Sequence, residues 1–484
     1  MIIKEFSKFI IDLNYNDIPK TAVNKAKLCF LDFLGVANRG FYEENTQIAR
    51  KSIAQFYGFV HESKNERSSI SSIIGDGYSN IANAGFINGI SAHALDLDDG
   101  HRFAQLHPGC VVFPTALAIA EANNIGGKEF IEAIVCGYEI AIILGTLANP
   151  YHRNQGFHST GTIGVFGSCA TASKLLQLDF HETINALGLC GTLGSGLLEV
   201  NHQGTMGKQL HAGKAVYNGI LSGYLAKNGF IGPESIVDGD EGLLKAMSID
   251  LFKSLDKNDL DFKDYLSTYL EESIGRFHIK EAYLKKYPFC RHLHSSIDAT
   301  LNICSKFDFS INNEDDIEKI LIKTYKIAAE HNNFNPRNKE EIRQSLPYAV
   351  AVATLENKLD LDLIENNISN NISNGISNSV NSGLNNDLIN NILDKIVIEE
   401  DEEFTKLNPL YRPSKVIIET NNETYEDLVK LPLGEAENPL SKEDILEKFK
   451  NINPNFDFKK LNSIDNYIDN IEDYNIADFM KNLH

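Results

Sequence analysis

Residues 160–178 read TGTIGVFGSCATASKLLQL, a run in which apolar and small side chains recur at three- and four-residue spacing. That is the period of a helix with a buried face. Its many Gly, Ala, Ser and Cys residues would let neighbouring backbones approach closely, so it is expected inside a multi-layered helical interior. ALGLCGTLGSGLL, residues 186–198, has the same texture. Working outward, the spacing predicts further helices at Ala22–Val36, Tyr78–Ala92, Pro114–Asn123, Gly127–Asn149 and Gly161–Leu176, separated by Gly, Asn or Pro. Residues 1–270 are therefore read as a helical domain.

After Arg276 the pattern changes. KILIKTYKIA, residues 319–328, mixes β-branched and aromatic residues with spaced lysines, as a half-buried strand would. KIVIEEDEEF and SKVIIETNNETYEDLVKL follow as strand candidates, the second a hairpin turning at Asn421-Asn422. RQSLPYAVAVATL lies between them with helical spacing. Residues 271–434 are thus expected to form a smaller α+β domain, and residues 435–484 return to helical spacing behind a Ser441 cap. The fold class expected is mainly α, a large all-helical domain plus the smaller α+β domain. The Asn/Ser-rich run at about 365–391 has too little apolar content for a core and reads as a disordered or weakly helical insertion.

Composition narrows the function. A formal net charge of -21 argues against a nucleic-acid partner, because phosphate contacts need a basic surface. No uninterrupted apolar run reaches the roughly 18 residues of a spanning helix, so no membrane partner is expected. The N-terminal segment, charged every few residues, does not read as a signal peptide. Seven scattered cysteines without a C-x-x-C pair fit reduced thiols and a cytoplasmic location better than a zinc module or a disulfide framework.

Four segments carry chemistry. The first, SAHALDLDDGHRFAQLHPGCVVFP (Ser91–Pro114), sets Asp96, Asp98, Asp99, His101, Arg102 and His107 beside a core. Pro108 suits the first position of a helix, which would put His107 at a helix N-terminus, a place that favours anions. The second, GFHSTGTIG, puts His158 before another helix start; the third, KQLHAG, opens a helix at Lys208. The fourth, KKYPFCRHLHSSID, gathers Lys285, Cys290, Arg291, His292 and His294 around a turn. Each has a plainer alternative: a capping or core histidine, a solvated lysine, carboxylates that cap helices rather than bind a hard metal, and a cysteine with nothing in the sequence to lower its pKa.

LDLDDGHRFAQLHPG, CGYE, GFHSTGTIG with GSCATASKLLQL, ALGLCGTLGSGL, KQLHAGKA, GFIGP, KKYPFCRHLH, RQSLPYAVAVA and NPLSKEDILEKF together resemble the MmgE/PrpD family, in order over nearly the whole chain. That family includes 2-methylcitrate dehydratase, cis-aconitate decarboxylase and an iminodisuccinate epimerase. The resemblance implies a helical domain built from the N-terminal half and the C-terminal helices, a smaller lid domain, a site in the cleft between them, a homodimer, and no metal or organic cofactor. It implies catalytic roles for Asp96, His107, His158 and Lys208. Substrate contacts are implied for Lys285 and, less strongly, Tyr138, with Arg291, His292 and Cys290 expected beside them. Decarboxylase members carry a histidine where this chain has Cys290, a departure that tells against decarboxylation, and the reaction expected from the resemblance is dehydration of a small di- or tricarboxylate such as 2-methylcitrate. The alternatives are epimerisation, decarboxylation, and carboxylate binding without turnover.

Overall fold

The computed structural model describes residues 1–57, 70–306, 317–364 and 386–483. Most of the Asn/Ser-rich run, residues 365–385, lies outside them; its last residues enter a helix at Asn386–Leu393. The described chain is mainly α and divides into two compact units. One comprises Met1–His202, Met206–Leu284 and Ser441–His484, the other Gln203–Thr205 and Lys285–Leu440.

In the first unit, α1 (Lys20–Gly40) is followed by a two-stranded ribbon, β1 (Ile70–Ser72) antiparallel to β2 (Tyr78–Asn80). This unit is therefore not all-helical. The predicted Tyr78–Ala92 helix loses its first three residues to β2 and begins as α2 (Ile81–His93), where the Asn80 side chain accepts from the Asn83 backbone N–H. Short alternating segments beside a Gly-rich turn pair as strands despite helix-compatible spacing.

Next come α3 (Gly109–Ala122), α4 (Gly127–Ala148), α5 (Gly164–Leu175), α6 (Phe180–Leu193) and α7 (Gly207–Lys227). Pro108 is the N-cap residue of α3 rather than its first helical residue, and Pro114 sits inside that helix instead of opening it. The predicted Gly161–Leu176 helix is split at Ile163 into a short helix, Ser159–Thr162, and α5. By length and mean hydropathy α4 is apolar enough to cross a membrane, which uninterrupted apolar runs do not reveal. However, 89% of its most apolar window is buried within the protein, as in a core helix.

Two glycines bring α2 and α7 together. A Cβ on Gly213 would stand 2.6 Å from the Phe86 carbonyl oxygen, and one on Gly89 would stand 3.1 Å from Gly213 Cα. Only hydrogen fits between these backbones, and the closeness aligns the start of α7 with the segment that follows α2.

The second unit holds α8 (His294–Lys306), β3 (Ile317–Thr324), α9 (Leu346–Glu356), β4 (Ile396–Glu400), β5 (Ser414–Thr420) and β6 (Thr424–Val429). The sheet order is β4-β3-β5-β6, with β3 parallel to β4 and antiparallel to β5, and β5–β6 forming the expected hairpin. Register pairs Ile320 with Ile418 and Ile322 with Val416, whose side chains join a core with Leu293, Ile297 and Val350. The strand predicted at 319–328 ends at Thr324, and Lys326–Ala329 is a helical turn.

The chain then rejoins the first unit with α10 (Lys442–Ile452), whose Ser441 cap and Asp444 complete a capping box. From α10, Lys448 reaches Asp32 of α1 at 2.6 Å and the Leu97 carbonyl at 3.0 Å, a buried cation beneath the LDLDD segment.

Candidate active site

The segment between α2 and α3 is the centre of the site. Asp96 sits at its start with φ 52°, in the left-handed region that non-glycine residues seldom occupy. Strain of this kind persists where the surroundings dictate the conformation, and it concentrates at functional positions. Its carboxyl meets Lys208 Nζ at 2.8 Å, and both side chains are buried. Lys208 is the second residue of α7, so the positive end of that helix adds to the local cationic field.

A second carboxyl, Asp98, takes His93 Nδ1 at 2.7 Å and lies 3.5 Å from His107 Nδ1. His107 Nδ1 also faces the Asp99 carbonyl oxygen at 2.5 Å. A carbonyl only accepts, so Nδ1 carries the proton and Nε2 of a neutral His107 carries the lone pair. Asp99 is fixed in turn: Tyr138 Oη donates to Oδ2 at 2.5 Å and the Gly109 N–H to Oδ1 at 2.9 Å. Burial raises Asp99 to about 7, against those two hydrogen bonds and with help from Asp98. Gly109 of the HPG motif is required here, since a Cβ would meet Asp99 Oδ1 at 2.6 Å.

His158, just before the Ser159–Thr162 helix, faces His211 Nδ1 to Nδ1 at 3.0 Å and stacks on the His93 ring at 5.9 Å between centroids. Burial, then His93, Lys208, His211 and His107, hold its pKa well below the usual histidine range. His211 is lowered to about 4 by burial, then by His93, Lys214 and Lys208. Behind this turn, His152 bonds Thr162 Oγ1 at 2.8 Å and is lowered to about 4 by burial. The result is a lysine and several imidazoles, with His158 and His211 neutral at pH 7, facing carboxyls that are already paired.

The first unit thus brings together Asp96, His107, His158 and Lys208 of the sequence-derived set. Tyr138 is wholly buried with its hydroxyl given to Asp99, a place that suits holding Asp99 rather than touching a substrate. The fourth segment belongs to the second unit. There Arg291, expected as a carboxylate contact, is buried. Glu435, the Pro432 and Leu433 carbonyls and His294 occupy its guanidinium, which makes it a structural cation. His292 Nδ1 lies 2.6 Å from Tyr325 Oη, Cys290 Sγ 3.6 Å from His331 Nε2, and Lys285 is fully buried.

His93 and His211 are functional candidates that sequence reasoning passed over. His93 is wholly buried and, among the described residues, its Nε2 has no hydrogen-bond partner. A signal existed for both: His93 stands three residues before Asp96, and His211 one helical turn after Lys208. Ligand atoms of His93, Asp98 and Cys110 lie within 4.8 Å of one another. As a metal set they fit poorly, because burial, then Asp98 and Asp99, push the Cys110 thiol well above its usual range, and Asp98 already serves His93.

Residues 4–254 match the MmgE/PrpD N-terminal domain and residues 287–460 the MmgE/PrpD C-terminal domain. The cis-aconitate decarboxylase-like protein oryM of Aspergillus oryzae is 24% identical, over 97% of this chain and 94% of its own length. The cis-aconitate decarboxylase of Aspergillus terreus is 22% identical, over 93% and 89%. The human cis-aconitate decarboxylase is 28% identical over half of this chain and 49% of its own length. Matches to both domains, in order and across the segments that supply Asp96, His107, His158 and Lys208, make this chain a member of the MmgE/PrpD family.

Proposed function

We propose that the chain is a lyase acting on a small di- or tricarboxylate, with dehydration of a 2-methylcitrate-like substrate as its reaction. The observation that carries this reading is the proton-fixed His107 in one buried cluster with the Lys208–Asp96 pair. Removing a proton from carbon next to a carboxylate generates a dianionic enolate, which water stabilises poorly. Catalysis then requires a base near that carbon and cations aimed at the oxygens where charge grows.

In this mechanism His107 Nε2 takes the C–H proton, and Asp98 beside its Nδ1 favours the imidazolium that results. Lys208, held by Asp96, lies against the enolate oxygens. His158, neutral in the free protein, donates a hydrogen bond from an uncharged imidazole, and a bound anion would raise its proton affinity enough to protonate the departing hydroxyl. Asp99 and Tyr138 keep His107 oriented. Side chains alone supply these steps, and a homodimer is the assembly proposed.

Decarboxylation is the second reading, supported by relatives named cis-aconitate decarboxylase. It uses the same cation for the same kind of anion, with His107 returning a proton to carbon instead of taking one. Proton NMR of the chelator-treated protein in deuterated water, with 2-methylcitrate, citrate, cis-aconitate and small dicarboxylates, separates the two. Loss of water from methylcitrate supports dehydration, and release of carbon dioxide from cis-aconitate transfers the assignment to decarboxylation. Deuterium entering an α-carbon without net change indicates epimerisation, and silence across the panel defeats the enzyme reading.

A further inference from the structure

Six of the seven cysteines are buried; Cys290 alone is partly exposed. It also has a base. Cys290 Sγ lies 3.6 Å from His331 Nε2, and His331 Nδ1 lies 3.1 Å from the Gln344 carbonyl oxygen. The carbonyl fixes the proton on Nδ1, so the Nε2 lone pair faces the thiol. The backbone of His331 is tied down at both ends, its N–H to the Ala328 carbonyl and its carbonyl to the Leu346 N–H. A nucleophile, a base and a group that orients the base is the arrangement that activates thiols.

A second imidazole lies beside the first. The His292 ring stacks on His331 at 5.9 Å with 21° between planes, and His292 is itself bonded to Tyr325. Arg291, next to Cys290 in the chain, and Arg412 both reach the buried Glu435 carboxylate. By contrast, burial pushes Cys29, Cys136 and Cys304 up to about 12, 12 and 11, and Cys110 and Cys190 well above their usual range.

We propose that Cys290 and His331 form an activated thiol–imidazole pair, a covalent modification site for soft carbon electrophiles such as α,β-unsaturated carbonyl compounds. The thiol proton passes to His331 Nε2, and the sulfur electron pair forms an S–C bond at the β-carbon. The π pair moves to the α-carbon, which takes the proton back from the imidazolium. With an alkyl iodide the same attack expels iodide, and the imidazolium proton goes to solvent. The reaction is independent of whether the chain turns over a carboxylate, so its test stands apart from the function proposed above.

The test is iodoacetamide labelling of the native full chain from pH 5 to 9, below one equivalent, with all seven cysteines followed by peptide mass spectrometry. At pH 7 Cys290 is expected to react at least about 10-fold faster than any other cysteine, with a pH midpoint below the ordinary thiol value of about 8.5. His331→Gln should slow it about 10-fold at pH 7 and return the midpoint to the ordinary value. A wild-type midpoint at the ordinary value, or a rate indifferent to His331→Gln, overturns the pair. If that variant does not fold, the thiolate absorbance near 240 nm, wild type minus Cys290→Ser, gives the midpoint with His331 intact; an ordinary value there overturns the proposal as well.

Discussion

Asp96 and Lys208 answer each other's charge inside the protein, so removing either takes a buried charge partner from the other. Lys208→Met should lower turnover at least 100-fold and cost about 1–3 kcal/mol of stability. The double variant Lys208→Met with Asp96→Asn should recover most of that stability and none of the activity; recovered turnover would remove Lys208 from the mechanism. Tyr138→Phe deletes a hydrogen bond that favours ionised Asp99, so it should cost about 1 kcal/mol and reduce kcat with KM nearly unchanged. A rise in KM alone would put Tyr138 in contact with substrate after all. Arg291→Met should act on stability, by about 3–5 kcal/mol, because Glu435 loses a buried partner. At this scale much was legible. Asp96, His107, His158 and Lys208 stand in motifs, whereas His93 and His211 carry only their spacing to Asp96 and Lys208, which does not tell a site histidine from a core one until the fold closes around them.

Helices α2 and α7 set the distance between Asp96 and Lys208, and Gly89 and Gly213 set the distance between those helices. Gly213→Ala inserts a methyl where the Phe86 carbonyl stands, so α7 must shift. The expected result is about 1–3 kcal/mol of destabilisation together with a loss of turnover. A variant that melts early yet keeps full kcat would show that the ion pair tolerates movement. The richness of α5 and α6 in small residues was plain from the sequence, and so was the hairpin at Asn421-Asn422. The ribbon β1–β2 was not, since strands of three residues carry too few alternations to show a period. Nor was the position of Pro114 inside α3, because a proline reads as a boundary until neighbouring groups satisfy the carbonyl it leaves behind.

Over the whole molecule, the depressed histidines couple stability to pH. His152 and His211 titrate near 4, and burial holds His158 well below its usual range, all below the unfolded value of about 6.5, so the unfolded chain binds more protons as pH falls. Their stabilising effect is complete above about pH 6.5 and is lost toward 4. Asp99, raised to about 7, acts oppositely over pH 4–7, as do the buried Asp32, Glu139 and Asp298, each raised by desolvation. The urea midpoint should therefore fall further, or rise less, from pH 7 to pH 5 in the wild type than in His152→Gln, followed by circular dichroism because the chain has no tryptophan. An equal change in the two proteins would mean that burial does not depress His152. The helical character of the large region and the change of texture near residue 276 were readable locally. Pairing of Lys448 with Asp32, 416 positions apart, was not, because nothing in either segment names its partner. That pairing has a consequence for how the protein is made. A ribosome releases the LDLDD segment roughly 350 residues before the lysine that braces it, as the separation of Leu97 from Lys448 requires. The growing chain must carry Asp32 without its counter-ion and the LDLDD segment without its brace through most of its synthesis, so a stalled or prematurely ended product would have the site's residues and lack its scaffold.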